Sequence, residues 1–195
     1  GSTRVGALAG RIGPKPFLVA GPALMGLALL WLARIPTDSA PWLLEVGGTH
    51  LVPPRDVWID VLPTSILFAA GLTLVVAPLT TALMASVPVR NAGVGSAINN
   101  AIRRVGQPLI LALLFIPITA VFWSSLSTSA PSLADREPAV RARIQPLNPP
   151  PPELNLIDEF PIDQASTDAF HLAMLASAGL LFAGAAVSAA GLRGG

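Results

Sequence analysis

The sequence predicts an all-α membrane protein with four transmembrane helices. Of its 195 residues, 52% are hydrophobic and only 12% are charged, whereas soluble domains carry about 25% charge. The mean hydropathy is +0.65. Four uncharged stretches, 17–33, 62–85, 105–123 and 169–192, approach or exceed the length needed to cross a hydrocarbon layer of about 30 Å. So few charged residues cannot cover the surface of a globular protein in water. The expected solvent of this chain is therefore lipid.

The first part of the chain predicts one span between two loops. Residues 1–16 are basic and rich in glycine, which favours a cytoplasmic loop. Residues 17–35 form the first predicted transmembrane helix, with Pro22 in its early turns, where a missing N–H costs least. Residues 36–61 contain prolines, glycines and acidic residues, which predict an external loop.

The second predicted span, 62–85, is uncharged but contains several hydroxyl groups. We single out five candidates for lining a cavity: Thr64, Ser65, Thr73, Thr80 and Thr81. Two interpretations stay open. Each hydroxyl donates to a carbonyl of its own helix, or some of the hydroxyls line a polar pathway.

The third segment, 86–123, is predicted as a cytoplasmic turn followed by a long transmembrane helix. Gly93, Ala97 and Ala101 share one face at four-residue spacing, and small residues in this pattern let helices approach closely in a bilayer. Arg103 and Arg104 precede the uncharged run and indicate a cytoplasmic anchor. The helix-interface candidates are Gly93, Ala97, Asn99, Asn100, Ala101, Arg103, Arg104 and Gln107. For the amides, hydrogen bonding between helices and contact with a transported solute both remain open.

The last part predicts an external proline-rich loop at 124–167, a transmembrane helix at 168–192 and a cytoplasmic tail at 193–195. Residues 133–144 are expected to form a short surface helix within the loop. Asp168 and His171 are placed at the start of the last helix, as an interfacial cap or a proton-handling pair. The pairs Gly179 with Ala183 and Gly184 with Ser188 repeat the small-residue spacing.

The distribution of basic residues predicts the orientation of the chain. One side of the predicted membrane collects seven of them and no acid: Arg4, Arg11, Lys15, Arg90, Arg103, Arg104 and Arg193. The positive-inside rule therefore places both termini in the cytoplasm.

Several function classes lack any supporting residues. Cysteine is absent, which removes disulfides, thiolate catalysis and cysteine metal ligands. A net charge of +1 without a basic cluster gives no reason to expect a nucleic-acid partner. No motif indicates an enzyme, a metal site or a cofactor. An ionisable side chain inside the membrane is the usual mark of an ion or proton site. Between their first and last turns, the predicted spans contain no Asp, Glu, Lys or His.

The basic loop resembles a conserved loop motif of the major facilitator superfamily. That motif is Gly-x-Leu-x-Asp-Arg-x-Gly-Arg-Lys, between the second and third helices of each half. Its matching positions here are Gly6, Leu8, Arg11, Gly13 and Lys15. Gly10 stands where the pattern has Asp, so the charge relay that the motif implies lacks its carboxylate here, and Pro14 stands where the pattern has Arg.

Three further runs are similar to the fourteen-helix drug:proton antiporter branch of that family. They are Ala77-Pro-Leu-Thr80, Val87 to Val94 and Asn99 to Gly106, and Asp168 to His171 before the last helix also fits. The resemblance implies the last four helices of a plasma (inner) membrane transporter. The second span would then line the central cavity, the third would pack between the two halves, and the first and fourth would lie outermost.

Under this resemblance we expect the chain to be internal sequence of a larger protein and not to transport by itself. Its partners would be the lipid bilayer and the remaining helices of the transporter. Small organic solutes and protons would be the ligands of the intact protein. Two alternatives remain: a non-transporting protein that docks on a full-length homologue, and a small homo-oligomeric channel or carrier.

Overall fold

Four long helices make up most of the structure. The computed structural model describes residues 12–37, 53, 55, 57–86, 92–135, 138, 142–148 and 160–191. The helices are α1 (Lys15–Leu32), α2 (Leu62–Ser86), α3 (Ala92–Ser129) and α4 (Phe160–Gly191). Within these ranges there is no strand, and all four helices are long and apolar enough to cross a membrane. The predicted all-α class and the presence of four helices of membrane-spanning length are confirmed.

The helices form a row in the order α2, α1, α4, α3. α1 packs against both α2 and α4, and α3 packs against α4. The end helices of the row, α2 and α3, therefore each have one neighbour among the long helices, and much of their apolar surface is exposed. A bilayer or further helices must cover these faces, since soluble monomers rarely expose large contiguous apolar surface.

The structural reason for the close contact between α1 and α2 is a pair of glycines. A Cβ atom added to Gly21 would clash with Val75 Cγ2 and would lie 2.8 Å from the Gly71 carbonyl oxygen. A Cβ atom added to Gly71 would lie 2.6 Å from the Gly21 carbonyl oxygen and 2.7 Å from Met25 Cγ. The two backbones are thus in contact, which requires glycine on both sides.

The start of α1 explains one glycine of the basic loop. Gly13 has φ +90°, a left-handed conformation that side chains disfavour. Pro14 is the N-cap residue, and the helix then begins at Lys15, two residues before the predicted span. The helix ends at Leu32, and Ala33 N–H donates to the Leu29 carbonyl at 2.9 Å.

A π-helical turn at Val57–Val61 leads directly into α2, so the predicted loop at 36–61 is helical in its last residues. Prolines inside α1, α2 and α3 do not interrupt the helices. In α2, Pro78 is fully buried. Residues 87–91, in the predicted cytoplasmic turn, and residues 149–159 of the predicted proline-rich loop lie outside the described residues.

The third and fourth helices are longer than predicted. α3 does not end at Trp123 but continues to Ser129, and α4 begins at Phe160 and not at residue 168. The predicted external loop at 124–167 is therefore shorter, because residues 124–129 belong to α3 and residues 160–167 to α4. With 38 and 32 residues, these helices measure about 57 and 48 Å, against a hydrocarbon thickness of about 30 Å. Both helices are therefore longer than a hydrocarbon layer is thick.

These helix extensions exist because they share a hydrophobic cluster. The buried members from α3 and α4 are Ile118, Phe122, Leu126, Ile162, Ala165, Ala169 and Ala173, and the intervening segment adds Leu133 and Ile144. Large side chains of α3 therefore fill the space left by the alanines of α4. The predicted surface helix at 133–144 lies in part outside the described residues. Among the described ones, Pro131–Ala134 form a one-turn helix with Leu133 and Ala134 buried, and Pro138 is helical, with Ala142 N–H donating to its carbonyl oxygen at 3.0 Å.

Candidate functional site

The described hydroxyl groups of α2 donate to backbone carbonyls of α2 or of the π-helical turn that leads into it. Thr64 Oγ1 donates to the Asp60 carbonyl, Ser65 Oγ to the Val61 carbonyl at 2.7 Å, and Thr73 Oγ1 to the Ala69 carbonyl at 2.8 Å. Each of these donors is thus satisfied without a solute. The side chains of Thr80 and Thr81 lie outside the described residues, as do Gly6, Leu8 and Arg11 of the loop motif.

Of the polar side chains in α3, four share one face of its first half. At about 100° per residue, Asn99, Asn100, Arg103 and Gln107 point to the same side of the helix, and three are exposed while Asn99 is half-buried. No hydrogen bond joins any of the four to another described residue. In a bilayer such a face needs polar partners, and the four described helices do not supply them.

The small-residue face of α3 also has no neighbour within the described chain. A Cβ atom added to Gly93 would meet no atom within 4 Å, and Ala97, Ala101 and Arg104 are exposed. In α4, Gly179 and Gly184 are likewise open. None of these patterns makes a contact among the four helices, so the packing of this face on another part of a larger protein stays a prediction.

Asp168 and His171 do not lie at the start of α4, because the helix begins at Phe160. Ser125 Oγ of α3 donates to Asp168 Oδ2 at 2.6 Å. His171 Nε2 lies 2.8 Å from the carbonyl oxygen of Ile35, just after α1, and donates to it in the tautomer with a proton on this nitrogen. The two side chains therefore tie α4 to two different neighbours. Their interfacial position stays a prediction, and what the structure shows is that both bridge helices.

Removing the hydroxyl of Ser125 is expected to lower the free energy of unfolding. The bond to Asp168 is short, partly buried and joins groups 43 residues apart, and hydrogen bonds to a charged group contribute about 1.5–3 kcal/mol. Ser125→Ala should therefore cost about 1.5 kcal/mol in detergent-solubilised protein, measured by titration with a denaturing detergent. Ser127, which donates to the Ser124 carbonyl and is exposed, is the matched control. Equal effects of Ser125→Ala and Ser127→Ala would contradict the bridging role.

The described surface includes the following three open grooves. One of about 570 Å³ lies between the segment after α1 and the start of α4, and contains Asp163 and Phe170. A second, of about 490 Å³, lies where the segment before residue 146 covers Phe115 and Thr119 of α3. The third, of about 410 Å³, lies entirely on the first half of α3, around Gly106. None of the three includes a described hydroxyl from the α2 set.

Thr119 lines the second groove, and its Oγ1 is the buried side-chain oxygen without a hydrogen-bond partner among the described residues. Among all the residues that the structure describes, no group of three or more His, Asp or Glu side chains is arranged to hold a metal ion.

Sequence reasoning missed the residues that make the helix contacts. Gly21 and Gly71 form the α1–α2 contact, and the Phe182 ring lies on Gly26, where an added Cβ would be 2.9 Å from a ring carbon. None of these glycines has a small residue four positions before or after it, so the small-residue spacing does not mark them. The one available signal is a glycine inside an apolar helix, which usually has a packing reason. Gly106, Gly179 and Gly184 carry the same signal but face open space.

Comparison with protein-family models, with curated proteins and with solved structures gave no match for this chain. The similarity to the major facilitator superfamily therefore stands on the short motifs alone. What the structure adds is the shape: a row of four helices of membrane-spanning length, with exposed faces at both ends.

Proposed function

We propose that this chain is the C-terminal segment of a proton-coupled multidrug efflux transporter of the major facilitator superfamily, in the branch with fourteen helices. It lies in the plasma (inner) membrane with both termini in the cytoplasm, exports small organic solutes only as part of the larger protein, and is not an enzyme. The observation that carries this proposal is the open row of helices. In it, the first half of α3 exposes apolar side chains such as Val94, Ile102 and Val105, beside a polar face that has no partners among the described residues.

An open row of helices is the arrangement that we expect for a fragment of an alternating-access transporter. Such transporters place the substrate site between two repeats that rock against each other. Four helices in a row bury their contacts with each other but enclose no central site. In this proposal, α2 and α3 face the missing helices, and α1 and α4 form the outer layer.

The sequence motifs support the family. The basic loop, the α2 run with Pro78, the polar run of α3 and the Asp168 segment occur in the order expected. The left-handed conformation of Gly13 agrees with a required glycine at this motif position. The spans lack a central carboxylate, so in this proposal the proton-coupling carboxylate is supplied by the rest of the transporter.

Reconstitution tests whether the chain transports by itself. The purified protein is placed in vesicles containing a pH-sensitive dye, and cationic drugs are added under a proton gradient. We expect no drug-stimulated proton flux, because alternating access needs two repeats that rock against each other and the four helices supply only part of one. A saturable flux that requires the protein would overturn this part of the proposal.

The family assignment is tested by the coding sequence directly upstream. We expect about eight to ten further apolar segments in frame, each of about 20 residues. The complete product, expressed in a strain without its own efflux pumps, should raise drug tolerance, and deletion of residues 92–195 should abolish that gain. A stop codon immediately upstream, with no tolerance from the complete gene, would reject the transporter reading.

The second candidate is a non-transporting protein that docks on a full-length transporter. The exposed small-residue face of α3 (Gly93, Ala97 and Ala101) favours it, because it permits a close helix contact that the four helices leave unused. Co-purification of a homologous transporter with the tagged chain, lost in Ala97→Leu but kept in Ala112→Leu on an exposed position of the same helix, would favour docking.

A further inference from the structure

The burial of α3 changes abruptly at one point along the helix. Of the described residues from 93 to 117, none is buried, and Ile118 is the first buried residue of α3. From there onward, Phe122 and Leu126 lie in the cluster that α3 shares with α4. The second half of α3 is therefore fixed to α4, whereas the first half buries none of its described side chains.

A proline stands at the boundary between the two halves. Pro117 directly precedes Ile118 and lies inside the continuous α3 helix. Because proline has no N–H, the Leu113 carbonyl lacks its usual helix donor, and the proline ring crowds the same turn. Leu114, within this turn, is partly buried against the cluster. The turn 113–117 is therefore where α3 bends most easily, and it lies where the fixed half begins.

A buried hydroxyl beside this turn lacks a partner. Thr119 Oγ1 is buried and has no hydrogen-bond partner among the described residues, which is unfavourable for a polar atom. A helical threonine can donate to the carbonyl four residues before it, and this bond is associated with bent helices. For Thr119 that carbonyl belongs to Phe115, within the turn that Pro117 weakens. A bend in this turn therefore offers the hydroxyl an acceptor.

The other proline of α3 has neither feature. Pro108 lies nine residues earlier, and its neighbours Gln107 and Leu109 are both exposed. The turn that follows it contains no serine or threonine. A bend at Pro108 would only move one exposed part of the helix against another.

We propose that α3 is hinged at the turn 113–117, so that residues 92–112 swing as one arm while the second half stays fixed to α4. The swing changes the gap between this arm and the exposed seam of α4, which includes Leu180 and Val187. The gap opens and closes at one end of the helix pair only, because the shared cluster holds the other end. The hinge is a property of α3 and does not depend on the proposed transport function. Helices of a larger protein that cover the arm would move with it.

Distances between spin labels test the hinge, and the absence of cysteine from the chain lets each label be placed by one substitution. The purified full chain in lipid nanodiscs carries Val94→Cys with Val187→Cys, or Leu109→Cys with Leu180→Cys, all at exposed positions. Val94 lies 23 residues before Pro117, and Leu109 lies 8 residues before it. A bend of about 20°, the lower limit of a sharp proline kink, should move the first label by about 12 Å and the second by about 4 Å.

Double electron–electron resonance measures the distance distribution of each pair. We expect broad distributions for both pairs, about three times wider for the pair farther from the hinge, because displacement grows with distance along the arm. A pair in the fixed half, Ser127→Cys with Gln164→Cys at exposed positions, should give a narrow distribution. If the Leu109–Leu180 distribution were as narrow as that of the fixed pair, the hinge would be absent and the proposal wrong.

Pro117→Ala should narrow both distributions at least about twofold, because the restored N–H bonds the Leu113 carbonyl. Pro108→Ala is the matched control. Leu109 lies between the two prolines, so this control should leave the Leu109–Leu180 distribution unchanged. Equal narrowing of that distribution by the two alanine variants would overturn the proposal. The measurement on the chain with both prolines is decisive even if one of the alanine variants does not fold.

Discussion

Replacing Gly21 with leucine is expected to separate α1 from α2 and to lower the free energy of unfolding by about 3 kcal/mol or more. The first added atom alone would lie 2.8 Å from the Gly71 carbonyl oxygen, and a backbone atom cannot rotate away as a side chain can. Inserting bulk into a packed contact costs about 1–3 kcal/mol and occasionally more. The measurement is unfolding by a denaturing detergent in mixed micelles, followed by circular dichroism.

Gly179→Leu is the matched control for this prediction. Gly179 also lies inside a long apolar helix, but an added Cβ would meet no atom within 4 Å. Removing a helical glycine without a clash stabilises a helix by about 0.5–1 kcal/mol, so this variant should be neutral or more stable. Similar losses for the two leucine variants would show that the α1–α2 contact is not what stabilises the fold.

The reciprocal glycine provides a second check. Gly21→Ala and Gly71→Ala each force the same two backbones apart, so the second change costs less once the first is present. The double variant should therefore lose less free energy of unfolding than the sum of the two single variants, as expected for residues in direct contact. Strict additivity would mean that the two glycines act at separate places.

Replacing Phe122 with alanine should cost about 3–5 kcal/mol, the range for removing a buried phenylalanine. The ring is 0% exposed and packs within the cluster that joins α3 to α4. Leu126, also fully buried, cannot move to fill the cavity without losing its own contacts. Protease sensitivity of residues 124–167 should rise together with the loss of stability, because Leu133 and Ile144 belong to the same cluster.

Phe115→Ala is the control in the same helix. Its ring is 60% exposed and lies about two turns earlier, so the same truncation should change the free energy of unfolding by less than about 1 kcal/mol. If the two phenylalanine variants lost equal stability, lipid contact and not the α3–α4 cluster would account for the cost.

The helix extensions could not be predicted from hydropathy. Residues 124–129 of α3 are mainly serine and threonine, and residues 160–168 of α4 include Asp163 and Asp168, so both stretches read as loop. They are helical because Leu126, Ile162 and Ala165 meet in the shared cluster. That contact joins residues far apart in the chain, and a local pattern does not contain it.

The contacts of the candidate site residues likewise divide into those that a local sequence pattern predicts and those that only the packing of helices creates. The back-bonding of Ser65 and Thr73 is a local property of a helix, and it was one of the two interpretations available from sequence. The partners of Asp168 and His171 were not available, because Ser125 and Ile35 come close only when α1, α3 and α4 pack together.

Composition and uncharged length alone determined that this chain forms four apolar helices of membrane-spanning length, because the solvent preference of a segment is the sum of its own residues. Which glycines touch another helix was decided only by the tertiary structure. Gly21 and Gly71 lie against a neighbouring backbone, whereas Gly93, Gly106 and Gly179 face open space. The physical reason is that two helices approach closely only where both of their surfaces fit together. The sequence of one helix describes its own surface and not that of its neighbour.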